Sequence, residues 1–308
     1  MTKKQKPENE RRTTPTLFSV SYAGLWGQHR LTLKDFIERA ARLGYPAVEL
    51  MAKRPHLSVL DWSDEALDGL RQWADRHNVE IATLAAYTDF TGGKAAEVPF
   101  VEMQVAYVRT LAQMAQKLGA KIIRVFTGYT TDPDSYQGDW QKCATAIREC
   151  AALAADYGVV IGVQNHHDVA VAFESYVEFL DDVDHPNCRA MFDPWAPALQ
   201  GYDLRKCAAA LAPRMVQTTL ADYAKLPRFA YVPGLVNYRP LTDMVRAVPV
   251  GEGFIDFEGF FAGLKEGGFA GYVAYEMCSP LRGGGSEENL DKTARTSLER
   301  IRRLIGED

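Results

Sequence analysis

The sequence predicts an α/β chain folded as a (β/α)8 barrel. Eight short apolar runs rich in β-branched residues are separated by longer segments of helical period, the alternation of a parallel sheet whose strands are buried on both faces. The 308 residues, 47% hydrophobic and 24% charged, suffice for one large core, and barrels of this length are single domains. No shift in composition divides the chain; a two-domain doubly wound sheet is the alternative that periodicity leaves open.

The eight runs are LFSVS (17–21), PAVEL (46–50), VEIATLAA (79–86), KIIRVF (121–126), VVIGVQ (159–164), CRAMFD (188–193), MVQTTL (215–220) and GYVAYE (271–276). Between the first two, Leu33, Phe36, Ile37 and Ala40 share one helical face, with Thr32 placed as N-cap and Gly44 closing the helix. The segments WSDEALDGLRQWADRHNV, YVRTLAQMAQKLGA and ATAIRECAALAADYGV each end in Gly or Asn before the next strand, as αβ turns prefer. Residues 1–15, MTKKQKPENERRTTP, read as a disordered leader, which leaves 16–308 as a single barrel domain. The longest gap, after the seventh run, contains ADYAKLPRFAYVPGLVNYRPL with Arg228 and Arg239. It is either a lid over the active face or a surface excursion.

Composition removes several function classes. The net charge of -5 lacks the basic excess that phosphate-backbone binding requires, so nucleic acid is not an expected partner. Five scattered cysteines without a CxxC pair point to a reducing, cytoplasmic setting. No apolar stretch reaches the ~18 residues of a membrane span, and the basic leader is followed by no apolar signal segment.

Barrel chemistry sits at the C-terminal ends of strands. The fifth run ends in Gln164-Asn165-His166-His167-Asp168, the sixth in Asp193, the seventh carries Gln217, Thr219 and Asp222, and the eighth ends in Glu276. Strand alternation places Gln164 and His166 on one face and Asn165 and His167 on the other, so one of the two histidines is expected to face the pore. Oxygen and imidazole groups converging there suit a divalent cation such as Mn²⁺, Mg²⁺ or Co²⁺, with Asp193 and Glu276 as the leading ligands. Glu49 on the second strand and Arg124 on the fourth are either substrate contacts or an internal ion pair.

GYPAVELM, GVQNHHD, AMFDPW, TTLADY and VGEGFIDFEGFFAGLKEGGFAGYVAYEM resemble the xylose isomerase-like sugar phosphate isomerase/epimerase superfamily. The resemblance runs from about Leu17 to Ile305 and is most specific from Gly251 to Glu276, where GEGxIDF, a helix and GGFxGYxxYE follow in the family's order. It implies a (β/α)8 barrel holding one divalent metal through Glu, Asp, His and Glu from strands five to eight. Family members isomerise or epimerise ketoses, dehydrate inososes, process 3-keto-glycosides or, in one branch, cut DNA at abasic sites. On that pattern Asp193 and Glu276 are intact. Gln164 stands where the family has Glu, and Thr219 where it has His, which leaves Gln217 as the substitute ligand.

These departures leave the site formally neutral with a dication bound, so weaker metal affinity is expected. An amide at Gln164 cannot abstract a proton, which disfavours two-base epimerisation and makes His166 the replacement acid or base beside Glu276. His167 is the fallback if the strand ends early. The expected metal set is Asp193, Glu276, Gln164 and Gln217, holding Mn²⁺ first, with Mg²⁺, Co²⁺ or Zn²⁺ as the other choices. Substrate contacts are expected from Trp26, Glu49, Trp195, Arg282 and His167. Trp26 and Trp195, with Tyr22, Tyr87 and Phe90, offer faces for a sugar ring. Arg282 precedes three glycines at a helix N-terminus, either an anion-binding loop or a flexible turn capped by Ser286.

The expected activity is a metal-dependent isomerase, epimerase or lyase acting on a keto-sugar or 3-keto-glycoside by proton abstraction alpha to a carbonyl. The alternative is an altered barrel that binds a sugar or metabolite without turnover. A small carbohydrate is the expected partner, without nucleic acid or membrane, in a homo-oligomer of two or four chains.

Overall fold

Eight parallel strands form a nearly closed barrel in the computed structural model, which describes residues 13–92, 97–130 and 133–307. The barrel strands are β1 (Thr14–Phe18), β2 (Ala47–Met51), β3 (Glu80–Ala85), β4 (Ile122–Val125), β5 (Val160–Gln164), β6 (Cys188–Met191), β7 (Gln217–Leu220) and β10 (Tyr272–Tyr275). Neighbours pair in parallel in the order β6-β5-β4-β3-β2-β1-β10-β7. The seam between β6 and β7 is thin. It holds one bridge, Ala190 to Met215, an amide bond from Val216 to the Ala190 carbonyl at 3.1 Å, and the Thr218 hydroxyl donating to the Phe192 carbonyl at 2.8 Å.

The outer layer is α1 (Leu33–Leu43), α2 (Asp64–Arg76), α3 (Phe100–Leu118), α4 (Tyr136–Ala155), α5 (Phe173–Val183), α6 (Trp195–Gln200), α7 (Leu204–Leu211), α8 (Phe257–Glu266) and α9 (Glu287–Ile305). The first helix begins and ends as its sequence requires. Thr32 accepts from the Asp35 amide, Gly44 takes the left-handed conformation at φ 91°, and Leu33, Phe36, Ile37 and Ala40 are buried. In α9, Ser286 accepts from the Asn289 amide, and Glu287 and Asp291 pair with the buried Arg39 of α1.

The first strand starts earlier than its sequence suggests. Thr14 and Pro15, expected in the leader, belong to β1, and Ser19–Tyr22 form a 3-10 turn; residues 1–12 of that leader lie outside the described residues. The long gap is an antiparallel hairpin of β8 (Asp222–Val232) and β9 (Asn237–Val248). Its root is buried at Asp222, Tyr223, Ala247 and Val248, whereas Phe229, Tyr231, Leu235, Val236 and Tyr238 are each more than half exposed. The hairpin therefore projects from the barrel with its aromatic residues in solvent, an excursion and not a lid packed on the mouth. Asp222 anchors it: one carboxylate oxygen accepts from the Gly251 and Gly253 amides at 2.8 Å each. A Cβ on Gly253 would lie 2.0 Å from the other oxygen, which is why the GEG turn needs glycine there.

Candidate active site

The pore is built from inward side chains of alternate strand positions. Glu49 in β2, Thr83 in β3, Arg124 in β4, Gln164 at the end of β5, Gln217 and Thr219 in β7, and Asp193 and Glu276 just past β6 and β10 all converge there, and Glu49, Arg124, Gln164 and Gln217 are at most 2% exposed. Arg124 organises them. Its Nη1 donates to Gln164 Oε1 at 3.0 Å and its Nη2 to the Ala86 carbonyl at 3.1 Å, while Gln164 Nε2 donates to Asp193 Oδ2 at 2.8 Å. That chain fixes the Gln164 amide, because the reverse orientation would set its NH2 against the guanidinium.

Deeper in the pore, Gln217 Nε2 donates to Glu49 Oε2 and Gln217 Oε1 accepts from the Thr83 hydroxyl, both at 2.6 Å. Arg124 Nε stands 4.0 Å from Glu49 Oε1, and neither atom has a hydrogen-bond partner. Glu49 and Arg124 thus face each other inside the pore without a direct hydrogen bond. The field of Arg124 reaches all three acids, yet burial dominates. It pushes the Glu49 carboxyl up to about 8, Glu276 up to about 7 and Asp193 up to about 6.

The two histidines lie beyond the end of β5, where strand alternation no longer applies. His167 has φ 69°, and both rings meet Phe126, at 4.8 Å for His166 and 4.4 Å for His167. The two rings also meet each other, 4.9 Å apart edge to face. His166 Nδ1 accepts from the His167 amide at 2.8 Å, so the neutral ring carries its proton on Nε2. Burial and Arg124 lower His166 to about 4, and burial with His166 lowers His167 to about 3. His166 is accordingly a neutral donor at physiological pH and a weak base.

Trp195 joins this wall, 6.3 Å from His166 and 4.7 Å from Tyr223, with a buried Nε1 that has no partner. Tyr223 contacts Cys278 Sγ at 2.7 Å, and the thiol lies 3.4 Å from Glu276 Oε1. Sequence reasoning missed Thr83, Phe126, Tyr223 and Cys278, whose roles depend on which strands face each other. Two expected contacts are exposed. Trp26 lies on the β1–α1 connection and, among the described residues, makes no ring contact, and Arg282 lies on a turn whose carbonyls are taken by Asn289 Nδ2. Gly285 in that turn abuts the Gln28 backbone, 2.4 Å from a Cβ placed there, so the capped turn is the reading that fits.

The donor set does not fit a divalent ion. Asp193 accepts on both oxygens, from Gln164 and from the Trp195 amide at 3.0 Å; the Gln164 oxygen is held by Arg124 and the Gln217 oxygen by Thr83. Among the described residues no group of three or more His, Cys, Asp or Glu side chains is arranged around a metal position. A guanidinium already supplies positive charge to the pore, and a dication beside it would be repelled. In this structure Gln164 bridges Arg124 and Asp193, and Gln217 bridges Thr83 and Glu49.

Residues 37–304 match the family described as the xylose isomerase-like TIM barrel. The chain belongs to that family. An inosose isomerase of Bacillus velezensis is 24% identical over 275 residues, covering 87% of this chain and 91% of the relative. An uncharacterised protein of Methanocaldococcus jannaschii is 24% identical over 168 residues, 53% of this chain and 56% of the relative, so that match spans about half of either protein. Among solved structures, D-psicose 3-epimerase with D-tagatose from Clostridium cellulolyticum H10 superposes with a TM-score of 0.73 at 17% identity, covering 95% of this chain and 99% of that one. These likenesses place the fold within the xylose isomerase-like barrels.

Proposed function

We propose that this barrel is an isomerase- or epimerase-type enzyme that moves a proton alpha to the carbonyl of a keto-sugar or 3-keto-glycoside. The observation that carries the reading is Glu276: a half-buried carboxyl at the mouth, poised near neutrality at about 7, inside the field of the buried Arg124 guanidinium. The Glu276 carboxylate takes the proton from the carbon next to the carbonyl; the C–H electron pair forms the C=C bond of the enediolate and the C=O π pair moves to the oxygen. Arg124, through its charge, and His166, through Nε2–H, stabilise the enediolate that forms. A proton then passes from the neighbouring hydroxyl to the former carbonyl oxygen, and as the new C=O forms Glu276 returns its proton to the former carbonyl carbon, which completes an isomerisation with one carbon base. Gln164 offers no second base, so single-base proton transfer is favoured over two-base epimerisation.

Similarity to an inosose isomerase and a D-psicose 3-epimerase supports a small carbohydrate substrate. The five cysteines, all free, support a reducing, cytoplasmic location. Self-association as a homo-oligomer is supported by the apolar tip of the β8–β9 hairpin. Among the described residues no helix is long and apolar enough to cross a membrane.

The test is solvent exchange. In D2O, proton NMR of inosose, D-tagatose and a 3-keto-glucoside incubated with the protein is expected to show loss of the signal alpha to the carbonyl in at least one of them. Binding without exchange across the panel would overturn the proposal and leave a sugar-binding barrel that does no chemistry.

A further inference from the structure

Lys53 stands two residues past β2, at the rim of the pore. Its Nζ is 3.7 Å from the centroid of the Tyr87 ring, and the Arg124 guanidinium carbon is 4.9 Å from the same centroid. Two cations share one ring. Tyr87 in turn meets Phe126 edge-on at 5.9 Å, and Phe126 carries both histidines. Lys53 thus begins a continuous wall that runs through Tyr87 and Phe126 to His166 and His167.

Among the described residues Lys53 makes no salt bridge and no side-chain hydrogen bond, and the charged neighbour acting on it is Arg124, which repels it. Burial and that repulsion hold the ammonium below its usual range. A ring attracts one cation by about 0.5–1 kcal/mol at partly exposed sites, and here the same ring also meets Arg124. A half-buried ammonium beside a second cation with no counter-ion is an arrangement that an incoming anion would complete. The size of the anion follows from the donors still free. Arg124 faces Glu49, Gln164 and the Ala86 carbonyl inside the pore, which leaves the Lys53 ammonium as the cation at the rim, and its single charge matches a carboxylate better than a phosphate dianion.

We propose that the substrate is a sugar acid whose carboxylate binds Lys53 at the rim while its carbonyl lies in the pore. This rests on the proton-transfer reading for the placement of the carbonyl, and not for the anion preference itself. The probes are D-glucuronate and D-gluconate as carboxylates, D-glucose as the neutral control and D-glucose 6-phosphate as the phosphate, titrated calorimetrically into the full-length protein at low salt. The carboxylates are expected to bind about tenfold more tightly than D-glucose, the gain of one charge-assisted hydrogen bond.

Lys53→Met is expected to reduce that preference to within about twofold, and Lys53→Arg to keep most of it; the near-ultraviolet circular dichroism of both should match the wild type. Equal binding of D-glucose, tighter binding of the phosphate, a preference that survives in Lys53→Met, or binding of no probe would each overturn the assignment. Carboxylate preference without solvent exchange in any sugar acid would count against the proton-transfer reading and leave the anion site standing.

Discussion

The Gln217 side-chain amide donates to the Glu49 carboxylate at 2.6 Å in the interior of the barrel. That bond favours the ionised form of Glu49, as does Arg124, yet burial outweighs both and holds the carboxyl at about 8. The sign of the pH dependence follows. An unfolded chain releases this proton near 4.5 while the folded one keeps it, so stability is lost as pH rises from there toward 8. Asp193 at about 6 and Glu276 at about 7 act in the same direction. Urea midpoints are expected to fall between pH 5 and pH 8, and Glu49→Gln to flatten that fall by on the order of 1 kcal/mol or more. A wild-type midpoint that rises across this range would contradict the burial argument.

Activity has the opposite pH dependence. Glu276 abstracts a proton only when ionised, so the exchange rate should climb as pH passes through about 7 and then level. His166, held near 4, adds no inflection in that window. Glu276→Gln is expected to slow exchange by roughly 10²-fold or more, read by NMR at saturating substrate. A profile that is flat from pH 6 to 8 would remove Glu276 from the role of base.

Because the Gln164 and Gln217 oxygens are committed within the protein, dialysis against a chelator is expected to leave both exchange and the melting temperature unchanged. Added Mn²⁺ should shift the melting temperature by less than about 1 °C, since binding that is absent contributes nothing by mass action. About one equivalent of tightly held metal per chain, measured by mass spectrometry and lost in Asp193→Ala, would reverse this conclusion.

Arg124 joins four strands, touching the Ala86 carbonyl, Gln164 and, at longer range, Glu49, while its guanidinium lies 4.1 Å from the Phe126 ring and 5.4 Å from Phe18. Arg124→Met should therefore cost about 3–5 kcal/mol, the range for removing one partner of a buried charge cluster. Arg124→Lys should recover only part of it, because an ammonium cannot reproduce the planar fork. Chemical denaturation at pH 7 reads both, and a loss below ~1 kcal/mol in Arg124→Met would mean that the cluster is not held together by its cation.

How much of this was legible depends on the distance over which each feature is determined. Thr32 and Gly44 mark the ends of α1 because capping is settled within a few residues. The first strand slipped because TTPT reads as polar, although Thr16 is fully buried in β1. The packing of the two histidines is also set locally: both lie past the end of β5, and the positive φ at His167 ends the strand alternation there. Asp193 and Glu276 were found from their places at strand ends. The fates of Gln164 and Gln217 were not, since they turn on Arg124 and Thr83, side chains 40 and 134 residues away. Lys53 was missed because nothing near it in sequence shows that its neighbour in space is another cation.

With so few bonds across it, the thin seam is where the barrel is expected to open first. Asp193 follows the strand on one bank and Thr219 lies in the strand on the other, so a transient gap there would alter the spacing of the very groups that face the substrate. The Thr218 hydroxyl reaches across it to the Phe192 carbonyl, beside the Val216 amide bond to Ala190, so closure of the ring there rests on few polar contacts. The amide of Val216 is then expected to exchange with deuterium sooner than that of Ile123, which lies within a ladder paired on both sides. A barrel with one such joint is less a rigid cup than a spring clip, with its reactive groups set where the jaws meet.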